Sequence, residues 1–226
     1  VINDLVAMAY AVPHLRDAEV AVLQAGEPTR AGAVALIAPG THLGEASLHR
    51  VGNDWVALPS EGGHADFAAR TATELELVAD LRATLGHVGR GELLSGPGLV
   101  RFHRHAHRDM PCLSRHGEPP NAAAVAAAAL EPRCAGCERA LDLFVSALGA
   151  AAGDLGLRTL ARGGVFLCGG IPPKILPALR RAGFLEAFLA KGAMRPLVER
   201  FRVAVILEPR VGLLGAAIAA TTRRRS

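Results

Sequence analysis

The chain has 226 residues, half of them hydrophobic, and 25 Lys and Arg against 21 Asp and Glu give a formal net charge of +4. That length suits one large domain, and no stretch of about 20 residues is apolar without interruption, which argues against a transmembrane helix. With one Trp and one Tyr there is no stacking platform for single-stranded nucleic acid, and Cys112, Cys134, Cys137 and Cys168 suit reduced thiols in the cytosol better than a disulfide framework.

The chain opens at Val1-Ile2-Asn3-Asp4 with neither Met nor a basic leader, so it reads as a chain entered partway through rather than as a signal peptide. Residues 2–12 read as a strand end running into a helix. The Asn3-Asp4 pair at the junction is either a helix N-cap or a carboxylate presented to a cleft as a general base. Residues 13–32 read as a connection, and Ala33–Ala38 as a short buried strand. That strand runs into Pro39-Gly40-Thr41-His42-Leu43-Gly44. A glycine-bearing turn with a Thr can cradle phosphate through backbone N–H groups and a hydroxyl, or can simply begin a hairpin. Residues 46–51 and 55–58 read as strands joined by Gly52-Asn53-Asp54, and they deliver the chain to Leu58-Pro59-Ser60-Glu61-Gly62-Gly63-His64-Ala65-Asp66-Phe67. There Glu61, His64 and Asp66 surround two glycines that permit a sharp turn and a close ligand approach. The stretch is either a polar surface turn or a site offering acceptors and a donor to a polyhydroxylated ligand.

Residues 73–85 carry apolar side chains at helical spacing. Glu92 precedes Ser95-Gly96-Pro97-Gly98, which breaks one helix and starts another; it reads as an exposed helix residue unless a site claims it. His103, His105 and His107 invite zinc, with three cysteines nearby in sequence. A structural zinc needs four compactly placed ligands, and Cys134-x-x-Cys137 has no second pair, so a solvated His-rich helix is preferred and no metal is expected. Residues 122–130 and 134–160 read as helices, the second long and buried, and 163–171 as a strand. Its Gly169-Gly170 end resembles the place where α/β folds admit a nucleotide. Two amphipathic helices, broken at Met194-Arg195-Pro196, a strand at 201–207, a final helix at 212–220 and a solvated Arg223-Arg224-Arg225 tail complete the reading.

Taken together, the words Ile2-Asn3-Asp4-Leu5, Gly40-Thr41-His42-Leu43-Gly44, Leu58 to Phe67, Leu94-Ser95-Gly96-Pro97-Gly98-Leu99, Gly163 to Ile171 and Gly212-Leu213-Leu214-Gly215 resemble, in order and separation, the bacterial glucokinases of the hexokinase, actin and Hsp70-like superfamily. The resemblance covers essentially the whole chain. It implies an α/β actin-like (ribonuclease H-like) sugar kinase fold with the large lobe nearly complete and the small lobe mostly missing. Residues 1–13 would close the small lobe, 14–207 form the large lobe, and 208–226 return toward the small lobe. It implies a cytoplasmic enzyme that uses ATP and Mg²⁺ to phosphorylate glucose at its 6-hydroxyl, homodimeric in full-length form, with no nucleic-acid or membrane partner. By resemblance, Asp4 is the catalytic base, and Asn3, Glu61, His64 and Glu92 hold the sugar. Gly40, Thr41 and Gly44 form one phosphate turn, and Gly169 and Gly170 lie on the adenosine side. A related hexose kinase for another sugar, or a catalytically dead sugar-binding or regulatory protein, are the alternatives.

Two departures stand out. His42 replaces the middle glycine of the family's Gly-Thr-Gly-Leu-Gly turn and is expected to crowd the phosphates. The family's other phosphate word, Asp-x-Gly-Gly-Thr, occurs nowhere in these residues, which implies that the chain alone phosphorylates glucose poorly.

Overall fold

A computed structural model describes residues 2–112, 121–131 and 133–222; the 223–225 arginine run lies outside them. One six-stranded sheet organises the fold, with strands β1 (Val20–Gln24), β2 (Val34–Pro39), β3 (Leu43–Val51), β4 (Asp54–Ser60), β5 (Gly164–Leu167) and β6 (Val203–Ile206). Their order is β1-β6-β5-β2-β3-β4. The central strands β2, β5 and β6 run parallel, β2-β3-β4 form an antiparallel meander, and β1 adds an antiparallel edge to β6.

Side-chain alternation divides the core into two layers. Ala35, Ile37, Val165, Leu167, Val203 and Val205 point into the larger layer. Val34, Leu36, Phe166, Cys168, Ala204 and Ile206 point into the smaller one. The larger layer is covered by α2 (Ala72–Leu85), α3 (Arg90–Leu93), α4 (Gly96–Ala106), α5 (Ala122–Leu130), α6 (Ala135–Thr159), α7 (Leu176–Leu179), α8 (Ala182–Leu189) and α9 (Arg195–Val198). On the opposite face lie α1 (Asp4–Ala11) and α10 (Val211–Thr222), packed on each other. By length and composition α6 could cross a membrane, but 72% of its most apolar window is buried inside the protein. Its apolarity is that of the central core helix, with Leu141, Phe144 and Leu148 fully buried.

Three local readings change. Residues 20–24 form β1 instead of a connection. The short Val-Ala-Val-Leu run is held by pairing with β6, a long-range ladder that no local periodicity announces. Among the described residues the two before α1 are not in a strand, and the Asn3 side chain caps the helix. The two amphipathic helices expected after Lys174 are three short ones, α7, α8 and α9, with one 3₁₀ turn before α7 and another between α8 and α9, and Pro177 and Pro196 stand near the starts of α7 and α9, where proline's missing N–H costs nothing.

Cys168 follows β5 and is fully buried, its thiol donating toward the Ile37 carbonyl at 3.8 Å. Burial, with a smaller contribution from the Asp4 carboxylate, pushes this thiol from 9.0 up to about 12. In the unfolded chain it ionises near its ordinary value, so between these limits only the unfolded state releases a proton. Folding stability should therefore fall as pH rises from about 9 toward 12, by up to about 1.4 kcal/mol per pH unit from this group. Urea unfolding between about pH 8.5 and 10.5 should show a shallower decline for Cys168→Ala than for the wild type, and parallel declines would contradict the assignment.

Candidate active site

The first turn of α1, the β2–β3 turn, the end of β4 and the end of β5 meet around a cleft of about 260 Å³. Its lining includes Asn3, Asp4, Gly40, Thr41, Glu61 and Gly169. Segments remote in sequence thus converge on one space near the C-terminal ends of the parallel strands, where open α/β sheets bind ligands.

The Asn3-Asp4 alternatives divide between the two residues. Asn3 Oδ1 accepts from the backbone N–H of Leu5 (2.9 Å) and Val6 (3.3 Å), so Asn3 is the N-cap. Its amide NH₂ has no hydrogen-bond partner among the described residues. Asp4 is exposed in the first helical turn, where the dipole favours a carboxylate, and only Oδ1 is engaged among the described residues, by the Leu5 N–H at 2.8 Å. Leu5 anchors this helix end: a Cβ at Gly44 would overlap the Leu5 side chain. Gly44 therefore sits in β3 opposite Ala38 and makes room for α1. At the turn itself, the Gly40 N–H bonds the His42 carbonyl (2.8 Å) and the Gly40 carbonyl accepts from Gly96 N–H (2.8 Å). The Gly40 N–H is therefore spent on closing the turn, and the exposed Thr41 is the polar side chain the turn presents. Gly169 has φ +84°, a conformation that favours glycine, and the space beside the Gly170 Cα is open.

His42 also lines the cleft. Its ring leans on His64, with centroids 4.4 Å apart, and fills the space where a Cβ on Gly91 would stand. His64 Nε2 lies 3.9 Å from Glu61 Oε2, and both side chains are exposed. Glu61 lines the cleft, whereas His64 is held between Glu61 and His42. Glu92, in α3, makes an ion pair of 2.6 Å with Arg101 of α4 and is not part of the cleft lining. Asp66 pairs with His87 at 3.0 Å on the surface.

Glu45 was not anticipated from the sequence. It is 2% exposed, in β3 directly beneath the Glu61 turn, and it bonds Arg90 (3.3 Å) and Arg158 (2.9 Å). The two glycines lie flat over this strand. A Cβ at Gly62 would overlap the Glu45 carboxylate, and one at Gly63 the Leu43 carbonyl. Ser47 and His49 share its face of the strand, so alternation alone does not mark Glu45 as buried.

Removing the Glu45 charge leaves Arg90 largely buried without its anion. Glu45→Gln should cost about 2–4 kcal/mol in urea unfolding, below the full buried-pair value because Arg158 is part-exposed. Gly63→Ala should cost about 1–3 kcal/mol, since backbone must shift to admit the methyl group. A loss under about 0.5 kcal/mol in either variant would show that the turn does not rest on β3 as described.

A family model described as Glucokinase matches residues 1–223. A glucokinase of Nostoc punctiforme is 38% identical over a 238-residue alignment that covers 97% of this chain and 70% of the relative. The crystal structure of a glucokinase from an Antarctic psychrotroph superposes with a TM-score of 0.88 at 33% identity, covering 98% of this chain and 68% of that one. A Streptomyces griseus ROK family glucokinase, solved in complex with glucose and AMPPNP, shares the fold at 19% identity and a TM-score of 0.65, over 96% of this chain and 66% of its own. The chain thus spans about two thirds of the length of these relatives. With its sheet order and the convergence of its motif words on one cleft, the chain belongs to the glucokinase family and has that family's α/β actin-like sugar kinase fold.

Proposed function

We propose that these residues carry the larger share of a glucose kinase site, which transfers the γ-phosphoryl group of ATP to the 6-hydroxyl of glucose. The observation that carries the reading is the meeting of Asp4, Thr41, Glu61 and Gly169 on one cleft. Phosphoryl transfer depends mainly on positioning and charge stabilisation, so the chain's task is to hold two substrates in line. Glu61 and the Asn3 amide offer the acceptor and donor that a neutral sugar needs, with His64 beside Glu61. Asp4 takes the proton of the 6-hydroxyl as its oxygen bonds to phosphorus and ADP departs. The side-chain hydroxyl of Thr41 and the open Gly169-Gly170 corner suit the phosphates and nucleoside. Hard oxygen donors, the Asp4 carboxylate and Thr41 hydroxyl, also suit magnesium, which would neutralise phosphate charge. Glu92 enters this reading only if the Arg101 pair yields it to the sugar. The working context is cytosolic and homodimeric, with residues 1–13 and 208–222 on the small-lobe side and 14–207 as the large lobe.

A non-catalytic sugar-binding role is the second reading, since Glu61 and the Asn3 amide on the cleft could hold a sugar whether or not phosphate is transferred. Two measurements separate them. Calorimetric glucose titration should weaken more than tenfold, about 1.4 kcal/mol, for Glu61→Ala; unchanged affinity in a folded variant would remove Glu61 from the site. A coupled glucose 6-phosphate assay should show strong turnover when the chain is placed behind the first lobe of a glucokinase relative, and less than about a tenth of it for the 226 residues alone. In the joined protein Asp4→Asn should lower kcat by about 10²-fold with little change in sugar affinity. No turnover in the joined protein, with glucose still bound, would favour the non-catalytic role.

His42→Gly in the joined protein should raise the KM for glucose through loss of the ring that supports His64, and leave the KM for ATP within about twofold. A fall in the ATP KM would show that the ring crowds the phosphates after all.

A further inference from the structure

Far from the cleft, the end of α4 and the start of α6 bring histidines and cysteines together. His103 and His107 are four residues apart on α4 and so share a face, with ring centroids 4.1 Å apart. Cys137 stands in the first turn of α6, fully buried, and the half-buried Cys112 follows α4. The reading of 103–107 as a solvated helix fails here, because His103 is 5% exposed. Zinc was set aside on the sequence for want of a second Cys-x-x-Cys pair, but tertiary packing brings Cys112 and Cys137 to the histidines.

We propose that His103, His107, Cys112 and Cys137 form a tetrahedral zinc site. One ligand atom from each lies within 4.8 Å of every other. Ligands bonded tetrahedrally at about 2.3 Å (S) and about 2.0–2.1 Å (N) stand roughly 3.4–3.8 Å apart. His103 Nε2 to Cys112 Sγ is 3.4 Å and Cys112 Sγ to Cys137 Sγ is 3.7 Å. The His107 tautomer is also fixed. Its Nδ1 lies 2.9 Å from the His103 carbonyl, which can only accept, so Nδ1 carries hydrogen and the neutral ring presents a lone pair at Nε2. A metal-bound histidine has this outer hydrogen bond. Gly136 lets that ring approach, since a Cβ there would lie 2.5 Å from His107 Nε2. Cys134 Sγ stands beside the cluster, 3.2 Å from His107 Nε2 and 4.0 Å from Cys112 Sγ, as an outer partner.

Two sulfurs and two imidazoles select zinc over magnesium or calcium. Four protein ligands close the coordination shell, so the site is structural and not catalytic. It staples α4 to α6. At the other end of α4, about 10 Å along the helix, the Gly96 N–H bonds the Gly40 carbonyl of the cleft turn.

The test is cobalt(II) titration of the full chain, metal-stripped and reduced. One equivalent should give intense visible bands of tetrahedral cobalt with thiolate charge transfer in the near ultraviolet, and zinc should displace it. Cys112→Ser, at a half-buried ligand, should lose charge-transfer intensity and weaken binding by more than about 100-fold. Cys134→Ser should retain the full spectrum. Stripping the wild type should lower its Tm by several degrees, with no further fall on stripping Cys112→Ser. Weak octahedral bands, a Cys112–Cys137 disulfide in the protein as isolated, or loss of the spectrum in Cys134→Ser to the same extent as in Cys112→Ser would overturn the assignment.

Discussion

A single carboxylate, that of Glu45, is buried in β3 between two arginines from distant parts of the chain, and the cleft is built over it. Burying a charge is costly unless it is paired and hydrogen-bonded. Here the pairing ties the strand to the start of α3 through Arg90 and to the end of α6 through Arg158. The Glu61 turn lies on this anchored surface with two residues lacking Cβ, because only glycine leaves space above the carboxylate and the Leu43 carbonyl. The turn's far side is bridged to residues 87–90 by backbone bonds, Phe67 N–H to Val88 carbonyl and Arg90 N–H to Ala65 carbonyl. The position of Glu61 is thus set by the sheet, α3 and α6 together.

The opposite wall depends on close approach instead of charge. Gly44 admits Leu5, and a Cβ at Gly215 would overlap the Ala7 carbonyl, so α10 presses on α1 from outside. The Asn3 cap then fixes where the helix begins. These contacts hold the first turn of α1 where the Asp4 carboxylate lines the cleft. The two walls meet at the β2–β3 turn, where Gly40 is bonded both to His42 and to the start of α4.

Much of this was legible in the sequence, for physical reasons. The motif words set Asp4, Thr41, Glu61 and Gly169 on turns beside strands or at a helix start, and such local features survive folding with little change. The features missed were all long-range. β1 exists through its ladder with β6, and Glu45 looks like an ordinary strand residue until two arginines are seen around it. His42 was judged against the phosphates because the turn alone gave no sign of Gly91 or His64. The histidines of α4 were read as solvated because Cys134-x-x-Cys137 has no second pair, a test that overlooks histidines as the remaining ligands. Glu92 matches the family's word, yet its partner, Arg101, is one that spacing alone did not bring to notice.

In the proposed site Asp4 and Glu61 address one sugar, with Asp4 at its 6-hydroxyl. Titration of wild type and Asp4→Ala with glucose and with 6-deoxyglucose tests it most directly, as a cycle between one side chain and one hydroxyl. The account predicts that the wild type binds glucose about fivefold or more tighter than 6-deoxyglucose, and that this preference collapses in Asp4→Ala. An undiminished preference in the variant would place the 6-hydroxyl elsewhere and contradict the account.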